Sequence, residues 1–427
     1  MRAERCAGSR SRDRRGAEIA LPTVPPVVAA VIQLQRTAGN RAVAGLLARP
    51  RLSARGGPVL QRQPFGLAKV DQVTDFANLA VDFWRANPDK TLAELGTYLT
   101  DKANDRLGAN NVPRVSVLSF GTVRKHSAGG FGRSSWTLQV DLAKIATKPL
   151  TTKLSDLTVG QLAEVAGITY HEARHAEQAF YVARLVASAG KPDGKTLATE
   201  LDMPVSVAEA AIKAGGVGKA ETAKVEEWRA FGKGGKHHDY WDWNETFRGF
   251  VANVVGGFKS PSPAGVQSVT DALDALAPTL AGWRKDSLPF PVSKISALEK
   301  VKKPDAADKV ALRDLKKIRA GLEKVFKAEK KLADAVAAFK RREAAATTKP
   351  ITVAEARVFQ ADFELLWLKL EIALRELQIT TDDAYRSYPE EADAYAVQKA
   401  VEKAFAAKAN PPAKTKPAPK RKEKAVR

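Results

Sequence analysis

The strongest constraint on the fold of this chain is a long segment that the sequence marks at both ends as a single helix. Thr158 and Gln161 have the spacing of a capping box, which satisfies free backbone N–H groups at a helix start. Gly190 and Pro192 supply stop signals at the other end. We therefore predict one helix from Thr158 to about Ala189, around which neighbouring elements must pack.

The predicted helix carries His171, Glu172 and His175 in an HExxH pattern. Histidines four residues apart lie one turn apart on the same helix face, where both imidazoles can reach one metal ion. Glu172 is rotated by about 100° from His171 and is left to act as a base. The chain has 5 His and 1 Cys, so chance rarely gives this pattern, and any metal must be held by His and carboxylates. We therefore favour a metal site over two histidines that merely pack in a buried helix.

The segment from Tyr170 to Gln178, Tyr-His-Glu-Ala-Arg-His-Ala-Glu-Gln, resembles the active helix of the zincin metallopeptidases. The metzincin variant is excluded, because it requires Gly at position 178 and His at position 181, where this chain has Gln178 and Tyr181. The resemblance implies a Zn²⁺ cofactor held by both histidines of the motif and by one further residue. It also implies that Glu172 is the catalytic general base in peptide-bond hydrolysis.

The third ligand is expected on a later helix. Gluzincin-like families use a Glu there, and Pro389-Glu-Glu-Ala-Asp-Ala-Tyr395 resembles the P-x-E-x-[DE]-A form of that segment. Aligning this segment with that form implies that Glu391 is the metal ligand. It also implies that Asp393 supports the ligands without binding the metal itself.

Other side chains remain open for these roles. Glu390 is an alternative ligand, although a capping box beginning at Ser387 explains it structurally. His237 and His238 are further alternatives for the metal. A donor must also stabilise the oxyanion of the transition state, and the candidates are Tyr385, Tyr388, His237 and His238.

The remaining patterns predict an α+β fold that is predominantly α, with a zincin-like core, a small antiparallel sheet and a long helical hairpin insertion. Residues Val115–Phe120 and Trp136–Leu142 form β-type runs, joined by a predicted loop at Ser127–Gly132. In zincins an exposed edge strand receives an extended peptide, and this pair of strands is the candidate. Further helices are predicted over 92–107, 294–345, 352–380 and 389–405.

These patterns divide the chain into five parts. They are a disordered basic leader with a short docking motif (1–62), a zincin-like core (63–255), a helical insertion or hairpin (256–380), a helix carrying the third ligand (381–405) and a disordered basic tail (406–427).

The net charge of +21 lies mostly at the two ends of the chain. Residues 1–62 carry 12 Arg against 3 acidic residues, and residues 403–427 carry 9 Lys and Arg against 1 Glu. Only +4 is left for residues 63–402. A nucleic-acid-binding domain concentrates its charge on a folded face, so we expect nucleic acid only as weak, non-specific binding by the basic ends.

The leader carries a second resemblance. Residues 34–47, Leu-Gln-Arg-Thr-Ala-Gly-Asn-Arg-Ala-Val-Ala-Gly-Leu-Leu, are similar to the leader of bacterial toxins and effectors associated with extracellular contractile injection systems. The resemblance implies docking to an injection particle or secretion partner. No clear signal peptide and no membrane-spanning stretch is present, so we expect a protein made in the cytoplasm and then loaded or exported.

The sequence thus favours a zinc-dependent metallopeptidase, acting on a peptide or protein substrate, within a bacterial toxin or effector. The alternative is a non-enzymatic interaction or structural cargo protein that retains a zincin-like scaffold, with basic arms that bind a partner or nucleic acid.

Overall fold

The computed structural model describes residues 66–119, 128–146, 148–190, 192–258, 266–347 and 351–410. The predicted leader, with its docking segment 34–47, lies outside the described residues, as does the predicted tail beyond residue 410.

Twelve α-helices and three short strands make up the described part of the chain. The helices are α1 Val70–Ala86, α2 Leu92–Ala109, α3 Val159–Gly190, α4 Gly194–Leu201, α5 Val205–Ala214, α6 Lys219–Phe231, α7 His238–Gly257, α8 Val266–Gly282, α9 Pro289–Glu299, α10 Ala306–Ala344, α11 Val353–Arg386 and α12 Pro389–Ala409. The strands are β1 Ser116–Ser119, β2 Gly129–Gly132 and β3 Thr137–Val140. The predicted α+β class with predominant helix is confirmed.

Helix α3 forms as predicted from its end signals. The backbone N–H of Thr158 donates to the Gln161 side-chain oxygen at 3.0 Å, and the Gln161 N–H donates to the Thr158 hydroxyl at 3.2 Å. The helix packs against α12, and the Glu402 side chain lies against Gly167, where a Cβ would lie 2.9 Å from the Glu402 Cγ. This close approach brings α12 alongside the HExxH motif.

The small sheet differs from the prediction. Its strand order is β1-β3-β2, and β2 pairs antiparallel with β3, whereas β1 pairs parallel with β3. The sheet is therefore mixed rather than antiparallel. The extra strand β2 comes from a segment that is predicted as a loop. The loop prediction follows from the sequence Gly-Gly-Phe-Gly, which has poor strand propensity.

Three helix boundaries also differ from the prediction. The helix predicted over 294–345 is broken into α9 and α10, because Pro304 disfavours helix at the preceding residue and Asp305 caps a new one. Helix α11 continues past residue 380 to Arg386, whereas the helix carrying Glu391 begins at Pro389 as predicted. That helix then continues to Ala409, one turn beyond the predicted start of the tail.

Two hydrophobic cores organise the described chain. The first is built by residues between Leu67 and Trp228, joined by Val397, Val401 and Phe405 of α12. The second is built by residues between Ala230 and Tyr388, and it includes the predicted helical hairpin, α10 and α11. Because the chain leaves the first core after α6 and returns with α12, residues distant in sequence meet beside α3.

Candidate metal centre

Helix α3 brings the three motif side chains together. The Nε2 atoms of His171 and His175 lie 3.0 Å apart, and ligand atoms of both histidines and of Glu172 lie within 4.8 Å of one another. His171 and Glu172 are 5% and 6% exposed, so the group sits almost entirely out of solvent. This arrangement follows from the one-turn spacing that the sequence already showed.

Helix α12 adds the Glu391 carboxylate to this group. Glu391 Oε1 lies 3.4 Å from the His175 Nε2, and Oε2 lies 3.7 Å from the His171 Nε2. Glu391 is buried, and its Oε2 atom has no hydrogen-bond partner among the described residues. A buried carboxylate oxygen without a hydrogen-bond donor is typical of a cation site, because burying such an oxygen unpaired costs free energy.

The three donor side chains have the spacing that a tetrahedral metal ion requires. With bonds of about 2.0–2.1 Å to each donor, tetrahedral angles place the donors about 3.3 Å apart. The two histidine nitrogens lie 3.0 Å apart, and His175 and His171 lie 3.4 and 3.7 Å from Oε1 and Oε2 of Glu391 respectively, which is close to this spacing. Two imidazoles and one carboxylate leave a fourth position open, as in catalytic rather than structural zinc sites. The residues therefore fit a divalent ion that accepts tetrahedral nitrogen and oxygen ligands.

The electrostatics of the group are dominated by Glu391. Burial works against a charged imidazole at His175, but the neighbouring Glu391 carboxylate outweighs it and raises the pKa of His175 to about 10. Burial alone would raise the pKa of Glu391, yet the two histidines hold it well below its ordinary value. Burial also raises the pKa of Glu172, with a further contribution from Glu391. A cation between these side chains replaces the proton that they otherwise share.

Gln178 orients His175 and joins the two helices of the site. The His175 Nδ1 lies 2.8 Å from the Gln178 side-chain oxygen, which only accepts, so Nδ1 carries a proton and Nε2 is the nitrogen left for a metal ion. The Gln178 amide nitrogen donates to the Glu390 carbonyl at 2.9 Å and to Asp393 Oδ2 at 3.0 Å. The sequence reasoning used Gln178 only to exclude metzincins and assigned it no role.

A buried charge network lies behind these ligands. Arg174 is 1% exposed; its Nε donates to Asp393 Oδ2 at 2.8 Å, and its Nη1 donates to Glu177. The Leu67 backbone N–H donates to both Glu177 oxygens, at 3.1 and 3.0 Å. The Arg174 guanidinium also lies over the Trp228 ring at 5.1 Å. The network ties α3 to α12 and to the segment before α1.

Strand β2 passes directly over the catalytic-base candidate. A Cβ at Gly129 would lie 2.5 Å from Glu172 Oε1, so only glycine allows the strand to come this close. Within the described residues β2 is an edge strand, because it pairs with β3 on one side alone. The strand therefore runs beside Glu172 at the margin of the sheet that the described residues form.

The other predicted site residues have different surroundings. Asp393 accepts hydrogen bonds from Arg174 and Gln178. His237 contacts Asp308 through Nε2 at 3.1 Å and packs beside Phe231, and His238 stacks on Trp241. The predicted capping box between Ser387 and Glu390 is wrong. The Ser387 hydroxyl instead donates to Asp314 and to the Ala384 carbonyl.

Two tyrosines lie closer to the metal ligands than the predicted Tyr388. Tyr388 is fully buried and packs against Phe231 in the second core. The Tyr385 hydroxyl donates to Glu391 Oε1 at 2.5 Å, and the Tyr395 ring packs edge-on against His171 with 4.6 Å between ring centroids. Tyr385 was one of four unranked candidates, whereas no sequence signal pointed to a role for Tyr395.

Comparison with protein-family models, with curated proteins and with solved structures gives no match to this chain. No helix of the described residues combines the length and the apolar character that crossing a membrane requires.

We expect Gln178→Ala to weaken zinc binding by about 10–100-fold, because His175 loses the acceptor that fixes its ring. The change is measured by titration of the metal-stripped variant with zinc in the presence of a competing chelator. Gln398→Ala is the matched control, since Gln398 on α12 bonds Glu402 and not a metal ligand. Equal zinc affinity in the Gln178 and Gln398 variants would contradict this role.

Proposed function

We propose that this protein is a zinc-dependent metallopeptidase. The observation that carries the proposal is the convergence of His171, His175 and Glu391 at one buried point, with a Glu172 oxygen within 4.8 Å of both histidine nitrogens. Two of these residues come from a local motif and the third from a distant helix. Such a meeting is hard to explain by packing alone, because it leaves Glu391 Oε2 without a donor.

The chemistry follows from the donor set and from Glu172. A bound zinc ion would lower the pKa of a water molecule to about 7 and polarise the substrate carbonyl. Glu172 accepts the proton of the attacking water and returns it to the leaving amine. Burial raises the pKa of Glu172, which makes its carboxylate a stronger base towards the proton of the attacking water.

The position of β2 supports a peptide as the substrate. An extended peptide that runs along this strand brings its backbone next to Glu172 without requiring a particular side chain. Of the four candidates for stabilising the oxyanion, we propose Tyr385, because its hydroxyl already reaches Glu391. Tyr388, His237 and His238 have their contacts in the second core or with Asp308 and Trp241.

We extend the proposal to a bacterial toxin or effector, made in the cytoplasm, on the resemblance of residues 34–47 to an injection-system leader. In that setting the leader docks the protein to its particle or secretion partner, and the peptidase is the delivered activity. Nucleic-acid binding by the basic ends stays a secondary proposal, with strong salt dependence as its signature.

The metal content of the purified protein tests the proposed function. We expect about one zinc per chain, lost on treatment with a chelator together with peptide hydrolysis. Glu391→Ala should weaken zinc binding by about 100-fold or more, whereas Glu390→Ala should leave it nearly unchanged. Circular dichroism on both variants controls for folding.

Two outcomes would redirect the proposal. A folded wild-type protein that takes up no zinc would end it. Zinc binding without cleavage of any peptide, protein or the chain itself would instead favour the alternative, a non-enzymatic interaction or cargo protein that keeps the scaffold.

A further inference from the structure

The hairpin of α10 and α11 carries an apolar surface that nothing in the described chain covers. Four large hydrophobic residues of α11 recur at every seventh position and are exposed. They are Val358, Leu365, Ile372 and Ile379, with exposed fractions of 61%, 42%, 39% and 49%. We call these four residues the heptad stripe.

The heptad stripe is separate from the face that α11 buries. The buried face is formed by Phe363, Trp367, Leu370, Leu374 and Leu377, which pack in the second core. Helix α11 therefore has two apolar faces, and only one of them has a partner. Ala361 and Leu368 occupy the second coiled-coil position of the first two heptads, whereas Arg375 and Asp382 occupy it in the next two, so the apolar repeat is carried mainly by the stripe itself.

Helix α10 shows what a solvated face of this hairpin looks like. All of its residues are described, and none of its large hydrophobic side chains is exposed. Its outer face carries charged residues such as Lys316, Lys317, Lys324 and Lys331. Because the two helices share one hairpin and one environment, the apolar repeat on α11 is a specific feature of that helix and not a general property of the surface.

We propose that the heptad stripe is covered by the heptad stripe of a second copy of this chain. From Val358 to Ile379 the stripe extends for about 32 Å, long enough for three heptads of helix pairing. A seven-residue apolar repeat is matched by another helix with the same repeat, and α11 itself provides one. The dimer is expected to be weak, because a single helix face buries less than a standard interface.

The charges beside the stripe favour a second copy over the chain's own ends. Arg357, Asp362, Glu364 and Lys369 flank the stripe with both signs, so each can meet an opposite charge on an identical helix. The leader also contains a short apolar repeat, at Val43, Leu46 and Leu47, but it has many Arg and few acidic residues. A strongly basic segment offers no negative groups to pair with Arg357 and Lys369.

The test is the mass of the full-length protein as a function of its concentration. Sedimentation equilibrium between about 1 and 200 µM should show a monomer–dimer equilibrium for the wild type. The double variant Leu365→Glu, Ile372→Glu should weaken dimerisation at least about tenfold, since it places like charges in the interface. The matched control is Val205→Glu, which puts a charge at a position on α5 that is 44% exposed and lies outside the stripe.

Further variants keep the outcome decisive. If the double Glu variant fails to fold by circular dichroism, Leu365→Ala with Ile372→Ala removes the stripe without adding charge. The variant Leu46→Glu, Leu47→Glu tests the leader as the occupant. A wild type that stays monomeric throughout, a stripe variant that dimerises normally, or loss of dimerisation on changing only the leader would each overturn the proposal.

Discussion

Glu172→Gln should abolish peptide hydrolysis, lowering kcat by about 10²–10⁴-fold, while zinc stays bound. The amide keeps the size of the side chain under β2, where space is limited at Gly129, but it cannot accept a proton. The three proposed ligands are unchanged, so the metal content should remain at about one per chain. The variant is measured by steady-state kinetics on a cleaved peptide together with elemental analysis.

The matched control for this prediction is Glu164→Gln. Glu164 lies on the same helix but faces solvent, away from the motif. It should retain wild-type hydrolysis. If Glu172→Gln were as active as the control, Glu172 would not be the base. If the Glu172→Gln variant lost zinc, Glu172 would instead be a metal ligand. That assignment is worth testing because Glu172 lies close to both histidines.

Arg174→Ala should destabilise the fold by about 3–5 kcal/mol, because it leaves two buried carboxylates without their shared cation. Glu177 and Asp393 both bond the Arg174 guanidinium, and Glu177 also holds the Leu67 backbone. The free energy of unfolding is measured by denaturant titration with chelator present, so that metal binding does not contribute.

Arg184→Ala separates this effect from the loss of any arginine on α3. Arg184 lies further along the same helix and bonds the carbonyls of Gly215 and Gly216 at the surface. We expect that variant to lose less than about 1 kcal/mol. A similar small loss for Arg174→Ala would mean that the buried network adds little to stability.

The features that sequence predicts well here are local. The start and end of α3 are encoded by residues three or fewer positions apart, and the HExxH spacing places both histidines on one face. The structure brings Glu391 to the same point, but no local rule predicts that meeting. It depends on α12 packing along α3, which is decided by the cores and not by the segment around Glu391.

The errors arise where tertiary contacts override local patterns. The Gly-Gly-Phe-Gly segment forms β2 because glycine alone fits above Glu172, although glycine disfavours strands in general. Ser387 fits the pattern of a capping box, yet its hydroxyl donates a hydrogen bond to Asp314 of α10. Gln178 and Arg174 each bond Asp393 on α12, a contact that their positions in the motif do not predict.

The central claim, that two histidines and Glu391 hold a catalytic zinc ion, is tested most directly by anomalous diffraction at the zinc edge from crystals of the zinc-loaded protein. We predict one strong peak within about 2.0–2.2 Å of the Nε2 atoms of His171 and His175 and of a Glu391 oxygen. Glu172 should lie beside the peak without bonding it. A peak bonded elsewhere, or two histidines with a ligand other than Glu391, would contradict the account.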